Sequence, residues 1–147
     1  MTPDELGVNG ITLDAARELA RACPWVNFTS GLRSWRGQAH AMAVNTTKNR
    51  QFCGLTYKRQ PSIQQAIDAH PDIQDVTGLT NLIESVLADL PVELRARFAH
   101  PAGRAFDIQV PFPAWQAPTK VAILALPRLQ TFLEGEAGLP IWHCQFE

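Results

Sequence analysis

The stretch His100-Pro101-Ala102-Gly103-Arg104-Ala105-Phe106-Asp107-Ile108-Gln109-Val110 decides how the chain is read. Proline and glycine make its first half a loop, and residues 105–110 read as a strand. Downstream, Pro111, Pro113 and Pro118 predict a rigid loop. Residues 121–126 suit either strand or helix, and Pro127 suits the first turn of a helix running to 133. Glu134-Gly135-Glu136-Ala137-Gly138 reads as a turn, and 141–146 as a last strand.

Upstream, Thr12 followed by residues 13–19 predicts an N-capped helix that ends before Pro24. Residues 26–28 are a short strand candidate, stopped by Thr29-Ser30-Gly31. Ala39, Ala41 and Ala43 favour a helix over 35–44. Residues 45–57 are polar and interrupted by Gly54, which predicts a loop with some strand anchored by Phe52 and Leu55. Pro61 opens a short helix over 62–69. Leu79, Leu82, Ile83, Val86, Leu87 and Leu90 follow the helical spacing that puts one apolar face in a core, so 79–90 is a helix. Helices and short strands alternate without a βαβ rhythm. The fold class is therefore α+β, a small, mainly antiparallel sheet flanked by helices.

With 147 residues, 46% hydrophobic and 18% charged, the chain has the make-up of one globular domain spanning 1–147 and not of a disordered segment. No apolar run reaches the ~18 residues of a bilayer span, and Met1-Thr2-Pro3-Asp4-Glu5 lacks a basic, apolar leader. The expectation is a protein made in the cytoplasm without a signal peptide and without a membrane partner. Cys23, Cys53 and Cys144 form no paired framework and read as reduced thiols. Net charge is −1, yet no acid lies between Glu18 and Asp68, where Arg21, Arg33, Arg36, Lys48, Arg50, Lys58 and Arg59 fall. Trp35, Phe52 and Tyr57 stand among these cations, a mixture that single-strand binders use. The whole chain is not basic, and scattered cations usually form a solvated face, so no nucleic-acid partner is expected.

Chemistry concentrates elsewhere. His100 lies on a loop, Asp107 on the strand after it, and His143 in the final strand. Two imidazoles and a carboxylate can hold Zn²⁺ and leave the fourth position to water, the arrangement of a catalytic site. Gly103 and Ala105 would let the backbone wrap closely. Read by spacing alone, the same residues are more simply an exposed or satisfied histidine and a surface aspartate.

The string His100-x-x-Gly103-x-Ala105-x-Asp107 with the later Trp142-His143 resembles the zinc peptidases that cut peptidoglycan stem peptides. These are the D-alanyl-D-alanine carboxypeptidases and dipeptidases and the L-alanyl-D-glutamate endopeptidases, many of them phage endolysins; the hedgehog signalling domain shares their fold. Phe28-Thr29-Ser30-Gly31-Leu32-Arg33-Ser34, with Gln38 following, is similar to that family's Ser-Gly-x-Arg-Ser…Gln segment. Three motifs in the family's order cover most of the chain.

The resemblance implies a hedgehog-like fold, Zn²⁺ as cofactor with His100, Asp107 and His143 as ligands, and a stem peptide as substrate. Arg33 would stabilise the oxyanion or bind a substrate carboxylate, with Ser30 and Gln38 on the substrate side. Arg33 is otherwise a structural arginine bonding loop carbonyls. Trp142 is expected in the core, and His40 and His70 at the surface.

Two positions depart from the pattern. The family's general base, a glutamate three residues before the last histidine, is replaced by Pro140. Glu134 and Glu136 are the nearest acids upstream, and Glu136 takes the catalytic role if the longer loop brings it in; otherwise it is a solvated turn residue. Glu147 lies on the alternating face of His143 but at the chain end. Phe98 stands where the family often has serine. The function implied is a zinc-dependent peptidoglycan peptidase that acts on the cell wall after release or injection. The alternatives are a non-catalytic relative binding a cell-wall fragment, peptide or protein, and a nucleic-acid module using the acid-free stretch.

Overall fold

The computed structural model describes all residues except 136–138. In chain order, a 3₁₀ turn (Pro3–Leu6) precedes α1 (Gly10–Ala22), β1 (Phe28–Ser30), α2 (Trp35–Lys48), α3 (Phe52–Thr56), α4 (Pro61–Ala69), α5 (Val76–Asp89) and α6 (Val92–Arg95). Then follow β2 (Ala105–Gln109), α7 (Pro113–Leu124), β3 (Leu129–Glu134) and β4 (Ile141–Phe146). The four strands form one antiparallel sheet ordered β1-β2-β4-β3, so the α+β class holds. Two compact units divide the chain: Met1–Leu32 with Ala99–Glu147, and Arg33–Phe98.

The first unit holds the whole sheet. Alternation along β2 and β4 sends Phe106, Ile108, Trp142, Cys144 and Phe146 to one face, where they pack with Ala15, Ala16 and Leu19 of α1 and Ile123 of α7. Asp107 and His143 point to the other face, because residues paired directly across two strands share a side. Trp142 is thus core, as its sequence position implied.

The second unit is helical. Ala39, Met42 and Ala43 of α2 share a core with Leu79, Ile83 and Leu87 of α5 and Ile63 and Ile67 of α4. Ser34 caps α2, accepting from the Gly37 amide at 3.0 Å, and Asp75 caps α5 through the Gly78 amide at 2.9 Å. His40 and His70 are exposed, and all three cysteines are free and buried.

Several local expectations are corrected. The residue before α1 is Asn9, and Thr12 is buried inside the helix. Strand β1 runs through Thr29 and Ser30 instead of stopping there. Residues 45–57 contain no strand: α2 continues to Lys48 and α3 follows, because Thr46 bonds back to the Met42 carbonyl and Phe52 and Cys53 are buried. Phe52 is an anchor, whereas Leu55 is 60% exposed. The proline-rich segment is helix α7. Pro113 sits in its first turn, where no amide is needed, and Pro118 forfeits one helical bond on the exposed side. The segment after Pro127 is strand β3, not helix. Arg128 takes φ 61°, which ends the helical path, and Phe132 then packs edge-on against Trp142 at 5.3 Å.

Two members of the acid-free stretch have structural partners. Arg36 pairs with Glu84 at 2.5 Å. Arg50 donates to the carbonyls of Ile67, His70 and Ile73 at 2.9, 2.9 and 2.6 Å, tying off the end of α4. Replacing it leaves these acceptors without their charged donor. Arg50→Ala is expected to lower unfolding free energy by roughly 1.5–3 kcal/mol in urea titration, and a loss within error would contradict this role.

Candidate metal centre

The site begins with a bulge. Phe28 pairs with Ile108 and faces the core, whereas Ser30 pairs with Asp107, so the register shifts between them. Two residues apart on a regular strand, Phe28 and Ser30 would share a face; the bulge re-aims Ser30 toward the Asp107 side. Ser30, Asp107 and His143 thereby stand in one row across β1, β2 and β4.

His100 arrives from the loop before β2. Its carbonyl accepts from Gly103 N at 3.0 Å, and Ala99 O accepts from Arg104 N at 2.9 Å. Gly103 takes φ 69°, a left-handed conformation that glycine adopts without cost, and the chain turns straight into the strand.

The three side chains meet on one carboxylate oxygen. His143 Nδ1 lies 2.9 Å and His100 Nε2 3.2 Å from Asp107 Oδ1, and the ring centroids are 5.1 Å apart. Ser30 Oγ donates to Asp107 Oδ2 at 2.6 Å. His100 Nδ1 donates to the Gly31 carbonyl at 2.7 Å. All three residues are buried, and a ligand atom from each lies within 4.8 Å of the others.

This donor set fits a divalent cation. A carbonyl only accepts, so His100 carries its proton on Nδ1 and, when neutral, turns the lone pair of Nε2 toward the anionic Oδ1. Two acceptors facing each other at that distance repel, unless the ring takes a second proton or a cation lies between them. A histidine whose outer nitrogen bonds a backbone carbonyl, and a carboxylate anchored through its far oxygen, are the supports usual around metal ligands. His and Asp donors suit zinc and accept several other divalent ions.

Burial pushes the Asp107 carboxyl upward, but hydrogen bonds from His100 and His143 and their charges outweigh it and hold the group well below the ordinary carboxylate range. The Cys144 thiol, buried and near the Asp107 charge, is pushed far up.

Ser30, expected on the substrate side, donates to the Asp107 carboxylate. Gly31 was not singled out. It is buried, its carbonyl holds His100, and an added Cβ would collide with the Leu6 carbonyl and lie 2.7 Å from Leu6 Cβ. The Ser-Gly pair is visible in the sequence, but the bulge that gives it this task is not. Arg33 and Gln38 belong to the second unit, where Gln38 is buried and donates to Tyr57 Oη at 3.2 Å. Phe98 lies in that unit's core between Trp35 and Tyr57.

Of the acids near the last strand, Glu134 stands opposite Trp142, not His143, and pairs with Lys120 at 2.5 Å. Glu147 pairs with Arg128 at 3.2 Å. Glu136 lies outside the described residues. Pro140 lends its carbonyl to Val110 N at 3.3 Å, extending the β2–β4 ladder.

Compared with known proteins, the chain matches no family model, no curated protein and no solved structure.

Two outcomes follow from this geometry. Ser30→Ala removes the Oγ donor to Oδ2 and should weaken zinc binding by about 10–100-fold in a chelator competition while the fold persists; unchanged affinity would remove Ser30 from the site. Metal-free protein should also lose stability in acid through Asp107. Its folded pKa is depressed, so its contribution is in force above the ordinary value of 3.8 and is lost as pH falls toward the folded value. Asp107→Asn should therefore flatten the acid limb of a stability–pH profile, and an unchanged limb would contradict the assignment.

Proposed function

We propose that the chain is a zinc-dependent peptidase acting on peptidoglycan stem peptides, at a D-Ala-D-Ala or L-Ala-D-Glu bond. The observation that supports this reading is the convergence of His100 and His143 on Asp107 Oδ1, from positions 7 and 36 residues away in sequence. The order of those residues is the order of the resemblance. Zinc bound there would lower the pKa of a water toward ~7 and polarise the scissile carbonyl.

The chain's own residues divide the remaining work. Ser30 fixes the carboxylate so that Oδ1 stays turned to the histidines. Gly31 fixes the His100 tautomer that leaves Nε2 able to ligate. Arg33 is assigned the developing oxyanion or a substrate carboxylate, a task that suits a permanently charged planar donor. Gln38 is assigned the substrate side. Glu136 is assigned the general base, taking a proton from the attacking water and returning it to the leaving amine. Among the described residues no helix is long and apolar enough to cross a membrane; the proposed place of action is the cell wall, reached by release or injection.

A second reading has its own observation. Pro140 replaces the family's glutamate, and Glu134 is turned away to Lys120, which favours a non-catalytic relative that keeps the metal and binds a cell-wall fragment, peptide or protein.

Digestion of peptidoglycan by zinc-loaded protein separates the two. The peptidase reading expects release of amino groups, and a fall of about 10²-fold or more in Glu136→Gln with zinc content unchanged. Zinc retained with no release from peptidoglycans of differing stem peptides would overturn it and leave the binding reading.

A further inference from the structure

Helix α7 has an outer surface that its own chain does not account for. Ala114, Ala117, Pro118, Val121, Leu124 and Ala125 recur at helical spacing, and every one is exposed. Surface helices ordinarily present charged or polar side chains on that side, and a helix apolar all round is normally buried. Rotation cannot hide this face, because the opposite one is committed. Thr119, Ile123 and Leu126 are buried, and Thr119 Oγ1 accepts from Trp25 Nε1 at 2.9 Å and donates to Trp115 O at 2.6 Å.

The patch is broad. Phe112 is 80% exposed, Val121 69%, Leu124 61% and Trp115 44%, and Trp115 stacks on the partly exposed Trp25 at 4.3 Å. Weighting each residue by its exposure and taking an aromatic side chain at ~200 Å², these side chains with Trp25 and the exposed alanines and proline come to on the order of 600 Å², the lower end of what each partner buries in a specific interface.

We infer that α7 is the contact between two copies of this chain. Neither the first turn of α7 holds an acid nor the last turn a base, and its one lysine, Lys120, is paired with Glu134. An acidic or basic partner would find no complement there, and a membrane-surface helix would carry free cations on its polar side. A second copy needs none. Antiparallel pairing about a two-fold axis sets Pro118 against Val121, Ala114 against Ala125 and Trp115 against Leu124, an apolar partner for each, and brings opposite ends of the helix dipoles together.

Sedimentation equilibrium of the full chain tests this. The wild type should show a species of twice 16.3 kDa below about 100 μM. Val121→Glu with Leu124→Glu should return it to the single-chain mass while retaining wild-type zinc affinity. Leu124→Lys alone should weaken the dimer at least 10-fold, a second check if the double variant folds poorly. A wild type that stays monomeric at that concentration, a dimer indifferent to all three substitutions, or a monomer that floats with zwitterionic lipid vesicles would each overturn the assignment.

Discussion

The pairing of Asp107 with His143 across β2 and β4 is the constraint on which the site depends. A slip of one residue in that ladder would send every side chain of one strand to the opposite face. It would bring His143 into the core and push Trp142 or Cys144 out beside Asp107. Burial of Phe106, Ile108, Trp142, Cys144 and Phe146 against α1 and α7 forbids the slip. Hydrophobic packing on one side of the sheet therefore positions Asp107 and His143 on the other, on paired strands, while His100 is brought in from the loop before β2.

Electrostatics explain why the arrangement calls for a cation. Ser30 Oγ donates to the Asp107 carboxylate, and His143 Nδ1 can do the same. But His100, whose Nδ1 proton goes to the Gly31 carbonyl, turns a lone pair toward Oδ1, a repulsion that a bound cation would relieve. An ion bound there would add its binding free energy to that of folding. Ser30 and the Gly31 carbonyl matter because each removes one alternative orientation, Ser30 for the carboxylate and Gly31 for the His100 ring.

His100, Asp107 and His143 were picked out by the resemblance of their motifs, since spacing alone favoured ordinary histidines and a surface aspartate; local pattern added only that they fall on a loop, a strand and a last strand. Helix α5 was legible because the spacing from Leu79 to Leu90 allows only one periodicity, whereas the short α3, within a polar, glycine-interrupted stretch, was not. What escaped were features decided by contacts distant in sequence. No local signal says that the strand at Phe28 bulges before Ser30, since the shift is enforced by Ile108 and Asp107 some eighty positions on. Pro113 and Pro118 read as loop because proline statistics describe helix interiors, whereas here one lies in the first turn and the other on the exposed side. Pro127 suggested a helix start, but the left-handed Arg128 and the attraction of Phe132 to Trp142 make a strand.

X-ray absorption at the zinc edge of the loaded protein tests the central claim most directly. One ion per chain with nitrogen and oxygen neighbours at about 2.0–2.2 Å, including two imidazoles, is the result the geometry predicts. A sulfur neighbour at about 2.3 Å would put a cysteine in the shell. Cys144 sits beside His143 on the opposite face, so that result, or a protein that retains no ion, would contradict the account.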